Sequence, residues 1–447
     1  MGISSLKKIY LLSLGCPRNL TDSEVLLASL EKKGFQITEK AEEADVGIIN
    51  TCGFIQDAKQ ESIEMILHLA ELKKEGKLKK LVVCGCLSQR YPAELASEIK
   101  EIDGIFGTAE FGSMPDMIEE ILAGKKVQKV ADPPSSFSSS FHERKFLTPP
   151  HYVYVKIQEG CSNRCSYCVI PQIKGPHRSR TIDSVVKEVE KLKNEYDVKE
   201  IVLIGQDITS FGIERTGKGE LIELIKKASQ TMKDGWVRLL YAHPAHFTDE
   251  LIDMIADRGN ICKYIDLPIQ HINDNILEAM NRRVTRSEIE KLIEKARKKI
   301  KDVTIRTSVI VGFPGETEEE FDELLKFLKD TRFERLGAFV YSREEGSPAA
   351  NFDGQVPEKL KKERFDKVMS LQQKISHENN LKWLNKEVKV LIDEKDPSGR
   401  EHFIGRSQME APEVDGVIYV KGNAELYNFC NVRITGTLEY DLMGEVA

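Results

Sequence analysis

The sequence predicts an α/β chain in three parts: an N-terminal open α/β sheet, a partial (β/α)6 barrel, and a small C-terminal antiparallel β-barrel. Three observations point there. Apolar strand-like runs alternate with amphipathic helix patterns over residues 1 to about 130, and again over 148 to 375. The two stretches are parted by a proline- and serine-rich stretch, Asp132-Pro-Pro-Ser-Ser-Phe-Ser-Ser-Ser140. After about residue 383 the helix periodicity stops and short β-rich segments take over. Strand–helix–strand rhythm implies parallel sheets, because a parallel pair needs a crossover connection.

In the N-terminal part the strand candidates are Ile9–Leu14, Val46–Ile49 and Leu81–Val83. Helix patterns cover Asp22–Lys33 and Gln56–Glu75. The first carries apolar Val25, Leu26, Ala28 and Leu30 on helical spacing. The expected boundaries are 1–131 for this part and 132–147 for the linker.

The middle part, 148–375, offers six strands: Tyr152–Ile157, Glu200–Ile204, Val237–Tyr241, Tyr264–Leu267, Thr304–Val311 and Arg335–Tyr341. Helix patterns such as Ser184–Glu195, Leu221–Thr231, Arg286–Lys299 and Glu318–Asp330 fall between them. Six such units suit an open barrel with its reactive groups at the carboxyl ends of the strands. The tail, 376–447, shows Val388–Asp393, Phe403–Arg406, Val417–Val420 and Val432–Tyr440, separated by glycine, proline and acidic residues.

Composition sets limits. A chain of 447 residues, 40% hydrophobic and 31% charged, reads as a multidomain soluble protein. The formal net charge of −7 argues against nonspecific nucleic-acid binding as the main task. No apolar run is long enough to span a membrane, and Met1-Gly-Ile-Ser-Ser-Leu-Lys-Lys has no secretory pattern. A cytoplasmic location is expected. Nine cysteines, three of them tightly clustered, fit metal chemistry in a reducing compartment better than disulfides.

The cluster is Cys161-Ser-Asn-Arg-Cys165-Ser-Tyr-Cys168, a C-x3-C-x2-C run directly after the first barrel strand. Three thiolates on one loop can hold three corners of a 4Fe–4S cube and leave the fourth iron open for chemistry. The competing reading is zinc. Zinc favours four ligands from paired elements, and no second C-x2-C or H-x3-H exists in the chain.

A second set is dispersed. Cys16, Cys52 and Cys86 each follow a strand candidate and adjoin glycine or proline. The carboxyl ends of parallel strands share one edge, where open α/β sheets bind ligands. The three would therefore converge on a second three-thiolate site, unless they are unrelated buried thiols. Cys84 is expected to be a packing residue, and Cys262 and Cys430 core or surface thiols.

Together these features resemble the radical S-adenosylmethionine (SAM) methylthiotransferases over nearly the whole chain. Tyr167, the aromatic before the last cysteine of the loop, belongs to the same signature. The resemblance implies an N-terminal domain with an auxiliary 4Fe–4S cluster on Cys16, Cys52 and Cys86. It implies a radical SAM core with a second cluster on Cys161, Cys165 and Cys168, and a C-terminal TRAM barrel. Two 4Fe–4S clusters and SAM are the implied cofactors. The implied reaction replaces a C–H hydrogen with a methylthio group. One SAM methylates a sulfur at the auxiliary cluster and another yields a deoxyadenosyl radical.

Within that family the motif Gly15-Cys-Pro-Arg-Asn19 resembles the branch that modifies a ribosomal protein. The tRNA branch carries Gly-Cys-Gln-Met-Asn instead. Leu203–Gly212, Tyr241–Pro244, Tyr264–His271 and Tyr341–Ala350 resemble the same branch. The implied substrate is the β-carbon of an aspartate in small-subunit ribosomal protein twelve. The implied partners are that protein, an electron donor such as flavodoxin or ferredoxin, and a sulfur donor, with neither membrane nor tRNA among them. Arginine at position 18, where lysine is common, preserves charge.

The tail gives a separate indication. From Lys386 to Ala447 it holds seven basic and twelve acidic residues, a balance of 7 − 12 = −5. An acidic surface suits a basic protein better than RNA phosphates. SAM contacts are expected from Tyr167, Gln206, Gly312, Gly315 and Glu316. Gly312-Phe-Pro-Gly-Glu-Thr317 reads equally well as a strand-to-helix turn capped by Thr317 and Glu320. His243 and His271 could face the cavity or be core histidines. The basic run Arg282–Lys301 reads as a solvated helix face. Two other functions compete: a tRNA adenosine methylthiotransferase, and a non-catalytic metal-binding nucleic-acid module. No catalytic residue beyond the cluster ligands is singled out.

Overall fold

The first six-stranded sheet is entirely parallel, in the order β2-β1-β3-β4-β5-β6. The computed structural model describes residues 7–133, 143–397 and 402–447, so the serine run of the expected linker lies outside the described residues. The strands are β1 (Lys8–Ser13), β2 (Gln36–Thr38), β3 (Val46–Thr51), β4 (Lys80–Gly85), β5 (Gly104–Phe106) and β6 (Val127–Lys129). Strand β3 is buried along its whole length, as a central parallel strand between two helix layers should be. Because β1, β3 and β4 are immediate neighbours, their carboxyl ends lie side by side. The short β2, β5 and β6 had no legible apolar run. Helix Pro17–Lys32 begins five residues before the expected Asp22. Proline fits a first helical turn because its missing N–H would be unpaired there anyway. The early start places Cys16 at the helix N-cap.

The middle part contains β7 (Tyr152–Lys156), β8 (Gln158–Glu159), β9 (Arg178–Ser179), β10 (Glu200–Ile204), β11 (Trp236–Leu239), β12 (Tyr264–Asp266), β13 (Thr304–Val311) and β14 (Arg335–Val340). Two parallel half-sheets form, β11-β10-β7 and β12-β13-β14. A single bridge, Val237 to Ile261, joins them into the partial barrel. The antiparallel β8–β9 pair flanks the cysteine loop and was not foreseen. Side chains alternate across the sheet. Val153, Val155, Ile201 and Leu203 pack against helix residues such as Val185, Val189, Leu224 and Ile225. Tyr152, Tyr154, Val202, Ile204, Trp236 and Tyr264 line the other, concave face.

The tail closes into a barrel, β15 (Glu387–Lys395), β16 (His402–Arg406), β17 (Ile418–Lys421), β19 (Leu442–Val446) and β18 (Phe429–Thr437), in that spatial order. Its pairings are antiparallel except β17 with β19, which is parallel. The run expected as one strand, Val432–Tyr440, divides: β18 ends at Thr437 and the chain turns into β19. Helix Glu358–Leu381 runs through the expected division at 375/376 and packs along β14.

The barrel is fixed to the concave face. Leu391, Ala411 and Phe429 join the cluster of Tyr152, Trp236 and Tyr264. A buried charge lattice surrounds that contact. Glu200 accepts from Arg238 at 2.6 Å and from Arg406 at 2.7 Å. Asp393 accepts from both ends of the Arg406 fork at 2.8 and 2.9 Å, and lies 2.7 Å from His151. Glu410 holds Arg335, Asp415 holds Tyr264, and Glu413 holds Tyr152 and Tyr154. Asp393, Glu410 and Asp415 thus face inward, whereas Glu413 stays exposed while it reaches the two tyrosines. The three account for a quarter of the tail's twelve acids, so the charge balance overstates the acidity offered to a partner. Buried pairs of this kind contribute little net stability but are costly to break one-sidedly, which fixes how the two parts sit together.

Candidate active site

Three glycines let the dispersed cysteines meet. Gly15 has φ +87°, and a Cβ there would stand 2.8 Å from Cys52 Cβ and 3.1 Å from Cys52 Sγ. A Cβ on Gly53 would meet Leu87 N at 2.7 Å, beside Cys86. Gly85, at φ +97°, would strike Asn50 Oδ1 at 2.3 Å. Each loop therefore closes onto the next only because its glycine carries no side chain. Asn19 braces the group. Its Nδ2 donates to Leu14 O at 3.2 Å and Thr51 O at 3.0 Å, while its Oδ1 accepts from Cys86 Sγ at 3.6 Å. One amide thus touches the loops of Cys16, Cys52 and Cys86. Cys84, by contrast, is fully buried and bonds to Ile49 O.

The clustered cysteines lie on the loop after β8. Gly160, at φ +75°, permits the entry, since a Cβ would sit 2.1 Å from Pro176 O. The loop is pinned by Ser166, whose N–H donates to Met280 O and whose hydroxyl donates to Ala279 O. Each sulfur receives one N–H. Asn163 N donates to Cys161 Sγ and Ile170 N to Cys168 Sγ, both at 3.5 Å, and Arg282 Nη1 donates to Cys165 Sγ at 3.6 Å. Donors aimed at sulfur are what thiolates bound to an iron–sulfur cluster require.

Electrostatics differ between the sets. Burial raises the Cys16 thiol, but Arg18, the Asn19 N–H and Lys174 outweigh it and hold the pKa below the ordinary thiol value. Its N-cap position favours a thiolate in the same direction. Burial pushes Cys52 up, and Cys86 up to about 12. Burial also takes Cys161 to about 11 and Cys168 to about 12. Such thiols need a cation to become thiolates, which a bound cluster provides. Among the described residues no three His, Cys, Asp or Glu side chains gather tightly enough to hold a metal ion. A cluster places each thiolate on a separate iron, so it does not demand the close approach of a mononuclear zinc site.

Arg18 links the two sets. Arg18 acts electrostatically on Cys16, Cys52 and Cys168, one or more from each set. Its Nη1 donates to Gly205 O at 2.8 Å and its guanidinium lies 4.6 Å from the Tyr241 ring centre. Lys174, buried, pairs with Asp22 at 3.1 Å and lies 3.8 Å from Glu159. Asp22 and Glu159 also hold Lys156, so the first helix is bolted to the barrel beside the cysteines.

The residues expected to contact SAM are placed unevenly. Tyr167 packs with Ile276, Met280, Phe313 and Tyr341, with its hydroxyl 3.4 Å from Arg282 Nη1. Gln206 donates to Glu159 Oε1 at 2.7 Å and leaves its buried Oε1 without a partner. Glu316 is occupied internally: it accepts from Gly312 N at 2.6 Å and Phe313 N at 3.1 Å, and pairs with Arg364 at 2.9 Å. Burial nevertheless pushes its pKa up to about 7. Gly312 faces helix Glu358–Leu381, where a Cβ would meet Lys361 at 2.3 Å. Gly315 has open space around it. The Thr317–Glu320 capping box is present.

Arg282 was read as part of a solvated basic face. It is buried instead and serves Cys165. His243 and His271 are buried, each with Nδ1 accepting a backbone N–H and Nε2 unpartnered. Burial holds both near pKa 3, with Arg282 adding to the effect at His243 and Arg364 at His271, so both are neutral.

The chain is similar to known proteins over all three of its parts. The chain matches the radical SAM superfamily over residues 155–328, the uncharacterized protein family UPF0004 over 8–107, and the TRAM domain over 386–447. It is 46% identical to the ribosomal protein uS12 methylthiotransferase RimO of Desulfitobacterium hafniense, over 98% of each chain. It is 45% identical to the protein of that name from Clostridioides difficile, again over 98% of each. Among solved structures, the radical SAM methyltransferase TsrM from Kitasatospora setae aligns with TM-score 0.56 at 16% identity, covering 77% of this chain and 75% of that one. The cobalamin-dependent radical enzyme OxsB aligns with TM-score 0.52 at 11% identity, over 83% and 56%. These two share the fold. No helix among the described residues is long and apolar enough to cross a membrane.

Proposed function

The chain belongs to the RimO family of radical SAM methylthiotransferases, and from that premise we propose that it installs a methylthio group on the β-carbon of an aspartate in ribosomal protein uS12. The observation that carries the reading is the two sets of three cysteines coupled electrostatically through Arg18 and Lys174. The family implies a 4Fe–4S cluster and SAM. Cys161, Cys165 and Cys168 are assigned to that cluster, and Cys16, Cys52 and Cys86 to a second. When bound, a cluster with an open iron supplies the one-electron reduction of SAM needed to break an unactivated C–H bond.

The chain's own residues do the rest. Asn163 N, Ile170 N and Arg282 donate to the three loop sulfurs and so favour their anionic form. Tyr167 rests on the apolar cluster of Phe313 and Tyr341, and the Gln206 Oε1, buried without a protein partner, is an acceptor the cofactor would satisfy. Gly312 and Glu316 act one step removed, keeping the turn after β13 in place through Arg364. Two cysteine sets both within the electrostatic reach of Arg18 suit two reacting groups that must reach a single substrate carbon, as near-attack geometry demands. The tail barrel's outward carboxylates, among them Glu394, Glu425 and Glu439, suit a basic partner.

The test is an anaerobic competition. Reconstituted enzyme, SAM, sulfide and reductant are offered purified uS12 and a tRNA anticodon stem together, and both are followed by mass spectrometry. A methylthio-for-hydrogen gain on the uS12 aspartate alone supports the reading. The same gain on the tRNA adenosine alone overturns it.

A further inference from the structure

We propose that Arg18 binds the side-chain carboxylate of the substrate aspartate and so holds its β-carbon between the two cysteine sets, an inference that rests on the aspartate reading above.

The first ground is the company it keeps. Most arginines buried in this protein are matched to carboxylates, among them Arg144 to Glu24, Arg238 to Glu200, Arg335 to Glu410, Arg364 to Glu316 and Arg406 to Asp393. Among the described residues Arg18 makes no ion pair with a carboxylate; its side-chain partners are Gly205 O, the Tyr241 ring and the Cys16 sulfur. The nearby Glu159 is already committed to Lys156 and Gln206. The other unmatched guanidinium of this region, on Arg282, is spent on Cys165 Sγ, Tyr167 OH and Pro268 O.

The second ground is orientation. Gly205 O holds Nη1 at 2.8 Å, and the Tyr241 ring lies under the guanidinium at 4.6 Å. Tyr241 itself sits at φ +68°, a strained value for a bulky residue, which the fold maintains to keep the ring there. A guanidinium presents five N–H donors in a rigid fork, and a carboxylate takes two of them at once. Gly205 O takes one nitrogen and the Cys16 sulfur another contact, which leaves donors of the fork for a carboxylate entering beside the cysteines.

The third ground is chemical. The carboxylate of an aspartate is bonded directly to its β-carbon, so gripping the one positions the other. An anionic side chain entering a space bordered by thiolates also needs a cation to make entry favourable.

The test measures binding rather than turnover. Reconstituted holoenzyme is titrated with a fluorescent uS12 peptide carrying the target aspartate, and with the same peptide carrying asparagine. Iron content and melting temperature are followed for every variant. The wild type is expected to prefer the aspartate peptide by roughly tenfold or more, the worth of a charge-assisted hydrogen bond. Arg18→Gln is expected to bind both peptides alike, at the wild-type affinity for asparagine, and Arg18→Lys to keep part of the preference. A wild type without preference overturns the proposal alone, as does Arg18→Gln that keeps the preference or weakens both peptides equally. A wild type that binds neither peptide overturns the aspartate reading itself, and the proposal with it.

Discussion

Asn19 Oδ1 accepts a hydrogen bond from Cys86 Sγ at 3.6 Å, across 67 residues of sequence. The same side chain donates to Leu14 O and Thr51 O. A nearly isosteric Asn19→Leu would leave two carbonyls without their donor, at about 1–3 kcal/mol for each buried group left unmatched. It would also free the three loops from each other. The expected result is a lower melting temperature and a loss of about four iron atoms per reconstituted chain. Iron and acid-labile sulfide assays check it, and undiminished iron would show that Asn19 is not the brace.

Gly15 and Gly34 form a controlled pair. Both have left-handed φ, +87° and +89°. A Cβ at Gly34 meets nothing within 4 Å, whereas one at Gly15 meets Cys52 Cβ at 2.8 Å. Gly34→Ala is expected to cost about 1 kcal/mol, the strain of the backbone alone. Gly15→Ala is expected to cost about 2 kcal/mol more, the overpacking term, and to lower iron loading. Urea denaturation of both variants separates the two effects. Equal losses would mean that contact with Cys52 does not matter.

The two cysteine sets should fail differently. Cys165→Ala is expected to abolish SAM cleavage while leaving about half of the iron in place. Cys52→Ala is expected to retain SAM cleavage to 5′-deoxyadenosine but to stop methylthio transfer. Quantifying deoxyadenosine and modified peptide in parallel checks both. Loss of cleavage in Cys52→Ala would merge the two sites into one functional unit.

The joint between barrel and core predicts a pH dependence. Burial alone would raise Asp393, but Arg406 and His151 outweigh it and hold the carboxyl below the usual carboxylate range. The folded protein therefore binds fewer protons at Asp393 than the unfolded chain does. Its stabilisation is complete above the unfolded pKa of about 3.9 and is lost as pH falls through the lower folded value. Asp393→Asn should be clearly less stable than the wild type at pH 7, with the difference shrinking below about pH 4. A difference that stays constant with pH would mean that the charge on Asp393 is immaterial.

The placement of the cysteine loops was legible in the sequence because its determinants are local. Cys161, Cys165 and Cys168 are close in sequence, and Gly15, Gly53 and Gly85 each adjoin a cysteine at the end of an apolar run. Long strands were legible from apolar runs, whereas the three-residue strands β2, β5 and β6 carry too little pattern to read. What escaped depends on distance in space. Arg282 lies in a basic run yet turns inward to Cys165, 117 residues away. Asn19 and Arg18 sat in a motif read for its cysteine, and nothing local says which loops they reach. The tail's acids were counted as surface charge, although Glu410 and Asp415 are consumed by Arg335 and Tyr264. A charge count has no access to partners beyond its own segment.

The stopper that Leu391, Ala411 and Phe429 make in the concave face has one more implication. It sits where β7, β11 and β12 begin, against Tyr152, Trp236 and Tyr264, the first residue of each. The cysteine loop leaves after β8, beyond the other end of β7. The tail barrel is therefore a foundation rather than a lid: the length of β7 separates it from the loop, so reshaping the barrel's outer surface is expected to change what docks there while the cysteines keep their footing.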